Sequence, residues 1–325
     1  MIVTILSGGV GGARFVRGVR EHLRRTSPDG AGGTTADIRV IVNTSDDMWL
    51  AGLRITPDLD SVMYTLAGAN DEERGWGRLG ESERVSAELT AYGVGWPWFT
   101  LGDLDLGTHI ARSSLLRDGM PFGQVVERIT SRWNIGATLI PMTEAEVETH
   151  VITAEGELHF QEWWTKHRAK LVAEGFVQHG IETATPAPGV VEAIRDADVV
   201  LVAPSNPVVS IGTILAVPGI SAALAATSAP IVGVSPIING SVVRGMADAC
   251  LTAIGVETAA GAVALHYGSR SNGGLLDAWL VDETDVAELA AIEAAGITAR
   301  AVPLWMRDVD TSAQLAADAM AAARP

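Results

Sequence analysis

The first 25 residues constrain this chain more than any other stretch. Ile2–Leu6 is an unbroken apolar run, Ser7-Gly8-Gly9-Val10-Gly11-Gly12 follows without a spacer, and Ala13–Arg25 then takes up helical periodicity. An apolar run with no polar alternation reads as a strand buried on both faces, which is a strand of a parallel sheet covered by helices. Glycines at the junction let backbone N–H groups approach an anion, and the helix N-terminus adds a favourable field. A phosphate-contacting βα turn is therefore expected; a merely tight βα turn is the alternative. The Gly-Lys-Ser/Thr ending of a P-loop is missing, and Arg14 occupies the third position of a dinucleotide fingerprint.

The same texture recurs along the chain. Ile38–Val42, Asp198–Ala203 and Pro230–Val234 are short β-branched runs, each ending in a cluster of Ser, Asn, Pro, Asp or Gly. From Val281 a strand, an Ala-rich helix and a strand ending near Pro303 complete an α/β tail. The expected fold class is α/β: a Rossmann-like parallel sheet with helices on both faces, whose ligands gather at the carboxyl ends of the strands. Helical patterns near Ser82–Tyr92, Leu104–Asp118 and Phe122–Trp133 set residues 66–134 apart as a mainly helical insertion, leaving 1–65 and 135–325 as the nucleotide-binding core. Glu148–Val151 and Glu157–Phe160 read as a hairpin, and Trp163–Glu174 as a return to helix.

Composition excludes several classes. A net charge of −16 repels nucleic acid and anionic membrane on average. One cysteine, Cys250, rules out an internal disulfide and any multi-cysteine metal cluster, and its helical context reads as small core filler. No apolar run approaches the ~20 residues of a membrane helix, and the apolar opening lacks a basic leader, so a cytoplasmic location is expected.

The most informative segment is Asn43–Asp60, in which Asp46 and Asp47 follow a strand and Asp58 and Asp60 flank Leu59 just after Pro57. Carboxylates clustered at a strand end are costly unless a hard divalent cation with phosphate oxygens neutralises them; turn capping is the plainer alternative. Ser205-Asn206-Pro207 and Ser235-Pro236, with Arg244 beyond, place hydroxyl, amide and cationic groups after two further strands. These suit phosphate or ribose contact, or else helix capping and a solvated surface. Trp49, Trp76, Trp96 and Trp98 lie in loop contexts where an aromatic could stack on a flat ring. The seven histidines show no metal-ligand spacing, so His109, His150 and His266 are read as structural.

Taken together and in order, Gly8-Gly9-Val10-Gly11-Gly12, Asn43-Thr44-Ser45-Asp46-Asp47, Gly52-Leu53, Pro57–Gly68, Gly75-Trp76-Gly77, Trp98-Phe99-x-Leu101-Gly102-Asp103, Ser205-Asn206-Pro207 and Ser235-Pro236-Ile237-Ile238 resemble the CofD/FbiA transferases of coenzyme F-420 biosynthesis. The resemblance spans about residues 2–245. It implies transfer of a phosphoryl-linked three-carbon acid, enolpyruvyl or lactyl, from a guanosine diphosphate conjugate to the ribityl hydroxyl of the deazaflavin Fo, releasing GMP. It also implies Mg2+ and a homodimer. Carried onto this chain, the roles are these. Gly8, Gly9, Val10, Gly11, Gly12, Ser205, Asn206, Ser235 and Arg244 hold the nucleotide and its phosphates, and Asp46 and Asp47 serve catalysis. Asp47, Trp49 and Trp76 meet the acceptor, while Asp47 and Asp60 bind the metal. Ser45, Asn239 and Arg244 depart from the family's Gly, Gly and Lys, and residues 81–83 match it poorly. Only two of the 23 Lys+Arg residues are lysine. With heavy Ala and Gly usage, that bias suits an actinobacterium-like source and hence the enolpyruvyl donor. A non-catalytic nucleotide-sugar-binding regulator is the alternative from another class; it has no need of the aspartates or the aromatic loops. A nicotinamide oxidoreductase is disfavoured, because Asp46 lies more than 30 residues beyond the glycine loop.

Overall fold

A computed structural model describes residues 1–323. Seven strands form one sheet: β1 (Ile2–Ser7), β2 (Asp37–Val42), β3 (Thr138–Pro141), β4 (Val199–Val202), β5 (Ile231–Val234), β6 (Ala278–Val281) and β7 (Thr298–Ala301). Their order is β7-β6-β5-β4-β1-β2-β3, and every neighbouring pair runs parallel. Strand β1 is central, with Ile5 in register with both Val40 and Leu201. The order reverses between β1 and β4, so the crevice above their carboxyl ends is the topological switch point at which α/β sheets bind ligands.

The central strands read as nearly continuous apolar runs because their successive apolar residues meet one or the other of two cores. Val3, Ile5, Val40, Leu201 and Val232 face helices α1 (Gly9–Thr26) and α2 (Pro57–Ala67) and the C-terminal helix Val309–Ala322. Leu6, Ile41, Val200, Val202 and Trp279 face the other layer, with Val190, Ile194, Ile211 and Leu224. Thr4 sits in this second layer fully buried and donates its hydroxyl to the Ala193 carbonyl at 2.6 Å. At Gly18 a Cβ would lie 2.8 Å from that of Ser312, so glycine sets the approach of α1 to the C-terminal helix.

Residues 66–134 hold α3 (Arg84–Ala91), α4 (Asp103–Arg117) and α5 (Phe122–Thr130), close to the helical patterns in the sequence. Phe122, Val125 and Val126 of α5 join the core beneath the sheet, while α3 buries no residue. Two features differ from expectation. Within Asn43–Asp60, Met48–Leu50 and Leu53–Ile55 pair as a hairpin around Ala51 and Gly52, both at positive φ, the two-residue turn favoured by strand twist. The helix expected over Trp163–Glu174 stops at Lys166, and Ala173–His179 becomes the third strand of a sheet with Glu148–Thr153 and Gly156–His159. The cause is Trp163, which is fully buried and donates its indole N–H to the Leu171 carbonyl, drawing the chain back through Arg168 and Ala169 at positive φ. No helix among the described residues is long and apolar enough to cross a membrane.

Candidate active site

A cavity of about 920 Å³ opens above the carboxyl ends of β1, β4 and β5. The glycine loop contributes Gly8, Gly9, Val10 and Gly11, the loop after β4 contributes Ser205 and Asn206, and the loop after β5 contributes Ser235. Asp46, Asp58 and Asp60 line one wall, Trp76, Trp98 and Phe99 another, and Arg14 and Arg244 also face in. Gly12, Asp47 and Trp49 do not line it. Gly12 packs behind the loop, where a Cβ would meet the hydroxyl oxygens of Ser7 and Ser205. Trp49 lies outside, its indole N–H donating to Glu146 Oε1 at 2.9 Å.

The anion-binding side is locked by one hydroxyl. Ser205 Oγ accepts from the Gly8 N–H at 3.0 Å and donates to the Gly8 carbonyl at 2.6 Å, joining the β1 and β4 loops across the switch point. Gly9 needs its positive φ of +59°, and a Cβ on Gly8 would come within 2.6 Å of both Asp58 Oδ2 and the Ser210 side chain. The Asn206 amide oxygen accepts from the N–H groups of Val208 and Val209, so this side chain caps its own turn while lining the cavity. Ser235 likewise exchanges hydrogen bonds with Ile237. Arg14 and Arg244 make no ion pair or side-chain hydrogen bond among the described residues, and burial followed by the charge of Arg14 lowers the pKa of Arg244. Two guanidiniums left beside a glycine loop, in a chain of −16, leave positive charge available to an anion.

The carboxylates divide into two groups. Thr56 precedes helix α2, which has Pro57 at its first position and Asp58 and Asp60 in its first turn, where the helix dipole favours negative charge. Asp58 accepts from the Asn43 amide at 2.9 Å, yet burial pushes its pKa up to about 6. Asp46 is raised well above the usual carboxylate range, first by burial and then by the charges of Asp58 and Asp47. Its Oδ1 is buried and has no hydrogen-bond partner. Two cavity-facing carboxylates that repel one another, one with an orphaned oxygen, are the donor set a hard divalent cation would satisfy.

Asp47 and Asp60 are instead matched with arginines. Asp47 is wholly buried, and Oδ2 lies 3.5 Å from the Arg54 guanidinium, although neither of its oxygens accepts a hydrogen bond. Burial is the main cause of its raised pKa. Asp60 pairs through Oδ1 with Arg112, accepts from Thr56 Oγ1 at 3.1 Å and lies 3.6 Å from His109 Nδ1. Arg112 also donates to the Arg54 carbonyl and contacts His109 Nδ1 at 2.9 Å. Burial alone would lower the Arg112 pKa, but Asp60 first, with Tyr64 and Asp47, holds it above the usual value. Asp105 accepts from the Tyr64 hydroxyl at 2.7 Å and lies 3.3 Å from His109 Nε2.

The sequence alone singles out for the site neither Arg54 and Arg112, which pair with Asp47 and Asp60, nor Asp105 and His109, which line the cavity. The available signal was the i, i+4, i+7 spacing of Asp105, His109 and Arg112, which puts them on one face of α4. On the aromatic wall, the Arg74 guanidinium sits 3.9 Å above the Trp76 ring, and Trp98 stacks on Trp96 at 4.8 Å with 13° between planes. Trp164 and Trp305 also face the cavity.

Comparison with known proteins identifies the lineage. A sequence model of the family 2-phospho-L-lactate transferase CofD matches residues 3–320. The chain is 53% identical to the phosphoenolpyruvate transferase of Streptomyces coelicolor, over 98% of this chain and 97% of the relative. It is 51% identical to that of Thermobifida fusca, over 98% and 97%. A crystal structure of a UPF0052 family protein from Bacillus halodurans shares the fold, with TM-score 0.65 at 17% identity over 98% of both chains. A family match across nearly the whole chain, with relatives at this identity, means that the chain belongs to the CofD family of transferases.

Proposed function

We propose that the protein transfers a phosphoenolpyruvyl group, or its 2-phospho-L-lactyl counterpart, from a guanosine diphosphate conjugate to the ribityl hydroxyl of the deazaflavin Fo. The hydroxyl oxygen forms a bond to the distal phosphorus, the bridging P–O bond breaks, GMP leaves, and the hydroxyl proton passes to solvent or to the departing phosphate. The observation that carries this reading is the arrangement around the switch-point cavity. The glycine loop and Arg14 with Arg244 face the carboxylate pair Asp46 and Asp58, and an aromatic wall stands beside them. The relatives' name, phosphoenolpyruvate transferase, supports the enolpyruvyl donor.

In this reading the diphosphate rests on the N–H groups at the start of α1, with Arg14 and Arg244 offsetting its charge. Ser205 keeps the two loops at a fixed separation, and Trp76 and Trp98 offer flat surfaces to the tricyclic acceptor. Asp46 and Asp58 would hold Mg2+, which when bound supplies charge neutralisation at the diphosphate. The family resemblance implies the metal on Asp47 and Asp60. Each already faces a guanidinium, so here they position Asp46 and the start of α2. Phosphoryl transfer depends mainly on alignment and charge neutralisation, so no strong general base is required. The soluble nucleotide and acceptor partners need neither nucleic acid nor membrane, and homodimerisation and a cytoplasmic location remain part of the proposal.

Fluorescence titration with Fo, with and without a magnesium–GDP mixture, tests it. Saturable binding that tightens with nucleotide, followed by turnover of one of the two conjugates, is the expected result. Asp46→Asn should lower kcat by at least ~100-fold with Fo binding retained, the range seen when one transition-state electrostatic partner is lost. Absence of Fo binding together with tight nucleotide-sugar binding would instead favour a regulator.

A further inference from the structure

A second cluster of side chains able to ligate a metal lies away from Asp46 and Asp58, on the three-stranded sheet Glu148–Thr153, Gly156–His159 and Ala173–His179. His150 stands opposite His159, and Glu148 opposite His179. Since alternate residues of a strand share a face, Glu148 and His150 from the first strand meet Glu157 and His159 from the second and His179 from the third. His150 Nδ1 lies 2.9 Å from Glu157 Oε1, and His179 Nε2 lies 2.5 Å from the same oxygen. The two imidazole centroids are 4.6 Å apart, with planes at 83°. One donor atom from each of His150, Glu157 and His179 falls within 4.8 Å of the other two. On the far side of His150, Nε2 is 3.6 Å from Glu148 Oε2. A carboxylate behind a ligating imidazole is the device that orients metal-bound histidines.

We infer that this face is a divalent transition-metal site of the zinc type, with His150 Nδ1, His179 Nε2 and a Glu157 carboxylate oxygen as its protein ligands. Two imidazoles and one carboxylate suit zinc, nickel or copper, whereas magnesium prefers oxygen donors throughout. Three protein ligands on an exposed face leave the fourth position to water, the composition of open zinc sites. The site has a structural consequence for the cavity. The strand Gly156–His159 continues into Phe160 and Gln161, and Trp164 and Thr165 follow one turn later; all four line the cavity. A metal joining three strands at this point pins that wall.

Calorimetric titration of the full chain with Zn2+ alone is the test, with thermal melting alongside. The wild type should take up one equivalent at this site, with a dissociation constant on the order of micromolar, and should melt higher with zinc than without. His179→Ala and His150→Ala should each weaken binding at least ~10-fold and remove the zinc-dependent rise in melting temperature. His179 is exposed, so its variant reports on the metal rather than on folding. Zinc uptake of unchanged stoichiometry and affinity in the His150→Ala/His179→Ala double variant would place the metal elsewhere and overturn the inference. So would no uptake by the wild type at ~100 µM zinc.

Discussion

Arg112→Leu should destabilise this protein more than most single substitutions, and the structure gives the size of the effect. Arg112 and Asp60 are 2% and 5% exposed, and the guanidinium also serves the Arg54 carbonyl and His109. At an effective dielectric near 20, unit charges about 3 Å apart attract by about 5.5 kcal/mol. Desolvation of the two ions offsets much of that attraction, so the intact pair has little net value. Breaking it is different, because Asp60 would keep its burial and lose its counter-charge, at a cost of about 3–5 kcal/mol. At roughly 2.1 cal/mol/K per residue, a chain of 325 residues has an unfolding entropy of about 0.7 kcal/mol/K, so the melting temperature should fall by about 4–7 °C. The Asp60→Asn/Arg112→Leu double variant removes both charges and should recover most of the loss. Calorimetric melting at pH 7 of both variants reads this out. A single variant losing under about 1 kcal/mol, or a double variant losing as much as the single, would refute the account.

Other expectations follow from the same physics. On the proposed function, Trp76→Ala should raise the KM for Fo about 3- to 10-fold with kcat little changed, as expected for one stacking contact; an unchanged KM would remove Trp76 from the proposed acceptor site. Burial pushes the Cys250 thiol up to about 12, so at pH 8 the native protein should leave a thiol reagent unreacted and release one equivalent only on denaturation. Hydrogen bonds from Arg24 and then Arg25 hold Glu21 down to about 2, below its ordinary 4.5. A carboxylate depressed in the fold stabilises above its unfolded pKa, so this contribution is complete above about pH 4.5 and disappears as pH falls through about 2. Glu21→Gln should therefore lower the melting temperature at pH 7 and leave it unchanged near pH 2.

How much was legible depended on the range of the interactions involved. The buried strands were readable because continuous Val, Ile and Leu runs admit few other structures, and α4 and α5 announced themselves by periodicity. The site was legible in part. Gly8–Gly11, Ser205, Asn206, Ser235, Asp46, Asp60, Trp76 and Arg244 do line one cavity. The burial of Asp47 behind them depends on the hairpin that brings Arg54 alongside, and nothing in Asn43–Asp60 alone signals that distance. The turn away from helix after Lys166 likewise followed from the pocket into which Trp163 is drawn.

By itself, then, the sequence determined the α/β class, the glycine-loop start of α1 and the polar clusters at the strand ends. These are local matters of apolar periodicity and of what glycine, serine and aspartate do beside a helix terminus. Only the tertiary structure decided which carboxylates already have an arginine and which face the cavity unpaired. It also brought His150, Glu157 and His179 together from three strands. The reason is physical: desolvation and Coulomb interaction act over a few ångströms of space, and sheet register, not chain spacing, sets which side chains come that close.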